Sequence, residues 1–163
     1  MITQIAVGVV LFVLAVLYVS WTAGRLDRLH ARVDAAWAAL DAALVRRAAA
    51  ARAVAAALPD RPAAAALEHA ARRTLDSGPE GREALENDLS RALRAALPVL
   101  PPGADLTELE QASARVGLAR AFHNAAVRDT RVVRQRRIPR ALHLAGHREL
   151  PQYFEIDDTT VPH

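Results

Sequence analysis

Apolar residues run without interruption from Ile5 to Val19, and Met1 to Gly24 contains no charged side chain. As a helix, Ile2 to Trp21 is roughly 30 Å long, enough to cross a bilayer. Tyr18 and Trp21 close the run at the level where amphipathic rings favour headgroups, with Arg25 just beyond. From Leu26 the pattern becomes a stripe. Leu26, Leu29, Val33, Trp37, Leu40, Leu44, Ala48, Ala51, Ala55 and Leu58 follow one another in steps of three and four, the period of one helix face. Pro59 and Pro62 end this helix near Leu58, and only Gly24 stands as a potential break before it. The spacing therefore predicts a membrane helix continuing into a long solvent-side helix, joined to the rest of the chain without a flexible tether.

A second helical stretch, Pro62 to Leu97, carries Leu67, Ala71 and Leu75, then Leu85, Leu89, Leu93 and Ala96. Ser77-Gly78-Pro79-Glu80-Gly81 interrupts it, with Ser77 and Glu80 at capping-box spacing, and Pro98 to Gly103 closes it as a stiff turn. Asp105 and Glu108 form a cap-like pair for a third helix, with Leu109, Ala112, Val116, Ala119, His123, Ala126 and Val133 on one stripe and Pro139 as its stop. The expected fold is all-α: an anchor over 1–24, an antiparallel up-down bundle of three long helices over 25–157 with the second interrupted, and a flexible tail over 158–163. With the first and third helices each about 50 Å long, this topology puts the Pro98–Gly103 turn near the membrane and the segment from Arg128 to Arg140 far from it.

Composition agrees with helices. Aromatics make up only 4% of the 163 residues while alanine is abundant, which favours close helix packing over a sheet. The absence of cysteine removes disulfides, thiol nucleophiles and Cys-based zinc sites. All 21 basic residues are arginine, against 18 acids, so the net charge of +3 is modest and does not by itself indicate nucleic acid. A cleaved signal peptide would need a basic start and small residues before the cut, but cleavage after Ser20 or Ala23 would put Tyr18 or Trp21 at −3. An uncleaved anchor is expected. Arg25, Arg28 and Arg32 follow the span and no basic side chain precedes it, so the expected topology is a single pass in the cell membrane, with a short N-terminus outside and the bundle in the cytoplasm.

Three dispersed motifs carry a family resemblance. Leu29-His30-Ala31-Arg32-Val33-Asp34-Ala35-Ala36-Trp37 continues through Leu40-Asp41 to Leu44-Val45-Arg46-Arg47. The third helix holds Ala119-Arg120-Ala121-Phe122-His123-Asn124-Ala125-Ala126-Val127, and the chain closes with Ile138-Pro139, Ala145-Gly146 and Pro151-Gln152-Tyr153-Phe154-Glu155. In this order and spacing the chain resembles the bacterial LemA family, with His123 where tyrosine is usual. The resemblance implies one membrane helix with a short outside N-terminus, a helical bundle of undefined molecular function, and no cofactor or reaction. Its motif residues are Trp37, Asp41, Arg46, Arg47, Arg120, Asn124 and Phe154.

Other clusters of titratable residues offer little chemistry. His143 and His147 have the i, i+4 spacing of metal ligands, but Gly146 and Pro139 disfavour a helix there and two surface histidines are expected. His123 falls on an apolar stripe and is read as a core imidazole before a titrating switch. Asp34 and Asp41 share a helix face, where ion pairing with arginines of another helix is favoured over acid-base work. Arg128, Arg131, Arg134, Arg136, Arg137 and Arg140 are opposed only by Asp129. A solvated helix end or an acidic protein partner suits them; nucleic acid is disfavoured without interleaved aromatics, and lipid by the 50 Å that the expected topology interposes. Tyr153, Phe154 and Ile156 are expected to cap the bundle's shallow apolar groove. No phosphate loop, dinucleotide fingerprint or nucleophile elbow occurs, so no enzyme is expected. The functional expectation is a membrane-anchored interaction or scaffold protein, bound to the bilayer through residues 1–24 and to unidentified protein partners. Self-assembly through alanine-rich faces into a membrane-shaping homo-oligomer is the alternative.

Overall fold

The computed structural model describes residues 1–135 and 149–157. Four α-helices account for most of them: α1 (Ile2–Ala57), α2 (Arg61–Leu75), α3 (Arg82–Ala96) and α4 (Thr107–Arg134), with a single 3-10 turn at Leu97–Val99. No strand occurs among the described residues. Gly24 does not interrupt α1, which stops where Leu58 N–H bonds the Ala55 carbonyl at 3.3 Å and Pro59 follows. Pro62 lies in the first turn of α2, the position where its missing N–H costs nothing.

The capping expectation is met by Asp105 alone at α4, with no bond from Glu108 among the described residues, and fails at α3. At α4, the Asp105 carboxylate accepts the Thr107 N–H at 2.9 Å, and that bond holds the Asp105 carboxyl below its usual range. At α3 the N-cap is Gly81, whose φ of 70° supplies a left-handed turn instead of a side-chain cap. Ser77 donates backwards, to the Thr74 carbonyl at 2.8 Å, and so closes α2 instead of opening α3.

The chain divides into two units. One comprises Met1–Ala35 and the described residues of Ala125–Gln152; the other comprises Ala36–Asn124 and those of Tyr153–His163. In the second unit Ala48, Ala51, Ala55 and Leu58 of α1 meet Leu67 and Ala71 of α2, Leu89, Leu93 and Ala96 of α3, and Leu109 and Ala112 of α4. The stripes read from the sequence are the surfaces that meet. α2 and α3 pack on each other, and Arg73 reaches Asp88 at 3.6 Å, so the Ser77–Gly81 interruption is a hairpin.

That hairpin overturns the expected geometry. Because it returns the chain to its starting level, Leu100 and Leu106, flanking the Pro101–Gly103 turn, pack against the Ala48–Leu58 cluster at the far end of α1. α4 must then run back. In the first unit Thr130 donates to the Leu29 carbonyl at 3.5 Å and Arg32 pairs with Asp129 at 3.8 Å. Arg128, Arg131 and Arg134 therefore lie beside the start of the polar part of α1, not some 50 Å from it.

α1 is the only helix among the described residues long and apolar enough to cross a membrane, and every residue from Met1 to Tyr18 is exposed. Among the described residues those side chains meet no protein core, in contrast to a buried core helix of equal hydropathy.

Candidate functional site

Three arrangements in the second unit take in all the motif residues but Arg120. The first is an aromatic latch. Trp37 of α1 stands edge-on to His123 of α4 at 5.5 Å between ring centres and to Phe154 at 5.6 Å. Phe154 is 3% exposed and joins Ile156 in a cluster with Leu40, Ala43, Leu44 and Val116. Its backbone is bracketed by one side chain: Phe154 N–H donates to Asn124 Oδ1 at 2.9 Å, and Asn124 Nδ2 donates to the Phe154 carbonyl at 3.1 Å. A flat amide presents one donor and one acceptor side by side, which matches the two groups of one extended residue. The closing segment continues along α3, where Glu155 N–H bonds Glu83 at 2.7 Å, Asp157 N–H bonds Asn87 at 2.8 Å, and Arg94 pairs with Asp157 at 2.6 Å. Phe154 and Ile156 thus cap the groove as expected, while Tyr153 faces outwards.

The second arrangement is a buried ion network. Arg47 and Glu86 both have 0% side-chain exposure, and Arg47 Nη2 donates to Glu86 Oε2 at 2.6 Å. Glu86 Oε1 accepts from Arg82 Nε at 3.1 Å, and Arg82 reaches Asp41 at 3.3 Å and the Ser77 carbonyl at 3.2 Å. Arg47 Nε and Nη1 make no hydrogen bond among the described residues. Asp41 thus pairs with an arginine of another helix, as expected, and Asp34 is exposed elsewhere. The Glu86 carboxylate is shared by two guanidiniums, one on each oxygen, so that the pair of arginines from α1 and α3 is tied together through it.

The third is an open groove of about 320 Å³, floored by Ala36, Ala39 and Ala43 and walled by Leu118 and Phe122, with Arg46 and Arg115 at one end. Leu118 is 60% exposed and Phe122 62%. Leu118 and Phe122 are one turn apart on α4, and the alanines repeat in steps of three and four on α1, so both walls are helical stripes. Neither arginine forms an ion pair among the described residues.

The remaining predicted residues fall as follows. Tyr18 and Trp21 are exposed, and the Arg25 guanidinium lies 5.7 Å from the Trp21 ring. Arg120 is half-buried on α4. Arg128 is exposed, whereas Arg131 and Arg134 donate to the Pro151 and Glu149 carbonyls at 2.8 and 2.7 Å and hold the returning segment. Arg137, with His143 and His147, lies outside the described residues. Sequence reasoning missed Glu86 and Arg82. The signal was present: Arg47 follows Leu44 and precedes Ala51 on the buried stripe, so it required a carboxylate from another helix.

At the surface, Glu68 accepts from Arg52 at 3.1 Å and from Arg72 at 2.9 Å, and these bonds, that from Arg52 foremost, hold its carboxyl below the usual 4.5. A carboxyl lowered in the folded state stabilises fully above its unfolded pKa and loses that contribution as pH falls through the folded value. Comparing urea midpoints of the native chain and Glu68→Gln between pH 7 and pH 3 should therefore show a gap that is present at neutrality and closes below about pH 4.5. A gap that grew in acid would contradict the pairing.

No protein-family model, no curated protein and no solved structure matches this chain.

Proposed function

We propose that this chain is a LemA-like, membrane-anchored interaction module that takes an amphipathic helix of another protein into the groove between α1 and α4. The observation that carries the reading is the exposure of Leu118 and Phe122 above an alanine floor. Small residues let a guest backbone approach closely, the two large side chains supply apolar contact, and Arg46 with Arg115 favours a guest carrying carboxylates at one end. Support for the family comes from Trp37 and Asn124, which belong to two separate motifs and both meet Phe154 of a third. The apolar length of Ile2 to Trp21 supports an anchor, and Arg25, Arg28 and Arg32 support a cytoplasmic groove.

A photoreactive phenylalanine at position 122 should give a discrete adduct with another protein in native membranes, whereas the same group at Ala66, exposed on α2, should not. Adducts only with lipid or with a second copy would reject the reading, the latter in favour of self-assembly. Because the groove side chains are exposed, Leu118→Asp with Phe122→Asp should change stability by no more than about 0.5 kcal/mol each while abolishing the adduct formed from a second probe at Ala39. Urea denaturation followed by far-ultraviolet circular dichroism checks the first half.

A further inference from the structure

We infer that the arginines of α1 and α4 beside the apolar span form a basic collar that binds the headgroups of anionic phospholipids. This rests on the anchor proposed above and adds the class of lipid that the anchored chain selects. Arg25, Arg28 and Arg32 recur in steps of three and four and so occupy one face of α1; Asp27 and Asp34 lie on roughly the opposite side. Trp21 marks the headgroup level, and Arg25 packs over its ring. Arg25 is thus about 6 Å, and Arg32 about 17 Å, along the helix from that level.

α4 brings further charge to the same place. The Thr130–Leu29 and Arg32–Asp129 contacts set the two helices antiparallel there, so Arg128 lies near the level of Arg32 and α4 proceeds from it towards Trp21. Arg28 and Arg128 are exposed and have no carboxylate partner among the described residues, and the Arg32–Asp129 pair is itself open to solvent. Such a pair contributes little and yields readily to a phosphate. Arg25 and Arg28 lie within about a Debye length, some 10 Å, of the headgroup level, and the long side chains of Arg32 and Arg128 can snorkel back to bring their guanidiniums within that reach of an anionic surface. Planar forked donors also suit phosphate oxygens better than the choline of a zwitterionic headgroup.

The test uses the full chain in phosphatidylcholine vesicles containing a trace of spin-labelled phosphatidylglycerol or spin-labelled phosphatidylcholine. Alkaline extraction first establishes whether the chain is integral; extraction into the supernatant would reject the anchor itself. In the integral protein, the motionally restricted fraction should favour phosphatidylglycerol on the order of fivefold. That preference should fall towards unity in about 0.5 M salt, as expected of screened surface charge. Arg25→Gln, Arg28→Gln and Arg128→Gln combined should remove it with helicity unchanged, while Arg61→Gln on α2 should leave it intact. Equal restriction of both lipids would overturn the collar and leave the anchor standing. Selective loss of the preference to inorganic phosphate, compared with chloride at equal ionic strength, would reassign the arginines to a soluble anion.

Discussion

Glu86→Gln should destabilise the protein by about 3–5 kcal/mol, a large share of the stability of an ordinary domain. The substitution keeps the volume of the side chain, so no cavity forms; what is lost is the charge. Arg47 is fully buried, and its short bond to Glu86 is its only charge partner among the described residues. Two of its nitrogens already lack partners there, so a neutral amide would leave a cation in the core with little to offset its desolvation. Arg82 would fare better because it retains Asp41 and the Ser77 carbonyl. Replacing both ends of the buried pair, Arg47→Met with Glu86→Leu, should recover most of the loss, because apolar side chains of similar size need no partner. Urea denaturation of the detergent-solubilised chain checks this. A cost below about 1 kcal/mol for Glu86→Gln would mean that water reaches the pair.

The same network shows what the sequence could and could not disclose. The apolar stripes of α1, α2, α3 and α4 were legible because burial of a helix face imposes a period of three to four residues. Most positions read from that period, among them Leu40, Leu44, Leu67, Leu89, Leu93, Leu109 and Val116, are buried, while Leu29, Trp37, Leu75, Leu85 and Ala119 are half-buried. Periodicity says nothing of direction, however. Pro62 to Leu97 reads as one interrupted helix whether Ser77–Gly81 is a kink or a reversal, and only the packing of α2 on α3 decides. That single ambiguity hid the contact of α4 with the start of the polar part of α1, where Thr130 meets Leu29 and Asp129 meets Arg32. The ion network was illegible for a related reason. Arg47 on a buried stripe announces a missing carboxylate, but Glu86 can be chosen from the 18 acids only once α3 is placed. The groove was legible only as an abundance of alanine; the exposure of Leu118 and Phe122 follows from what does not cover them.

Phe154→Ala should cost about 3–5 kcal/mol, the range for emptying a buried aromatic site, even though Phe154 lies in an extended segment outside the helices. The ring is 3% exposed and contacts Trp37 edge-on, an arrangement worth roughly 0.5–1.5 kcal/mol beyond its buried area. If the segment were instead a docking peptide laid loosely on the surface, the melting temperature would not move. Asn124 provides the independent check. Asn124→Asp retains the acceptor for the Phe154 N–H but loses the donor to its carbonyl, whereas Asn124→Ala loses both. The alanine variant should therefore cost more than the aspartate one, each by an amount on the order of 1 kcal/mol per bond. Once the Phe154 ring is gone the bracket has less to hold in place, so the costs of Phe154→Ala and Asn124→Ala should fall short of additivity by about 0.5–3 kcal/mol in a double-mutant cycle. Full additivity would mean that the aromatic latch and the amide bracket act separately, and that the closing segment is held at two independent points.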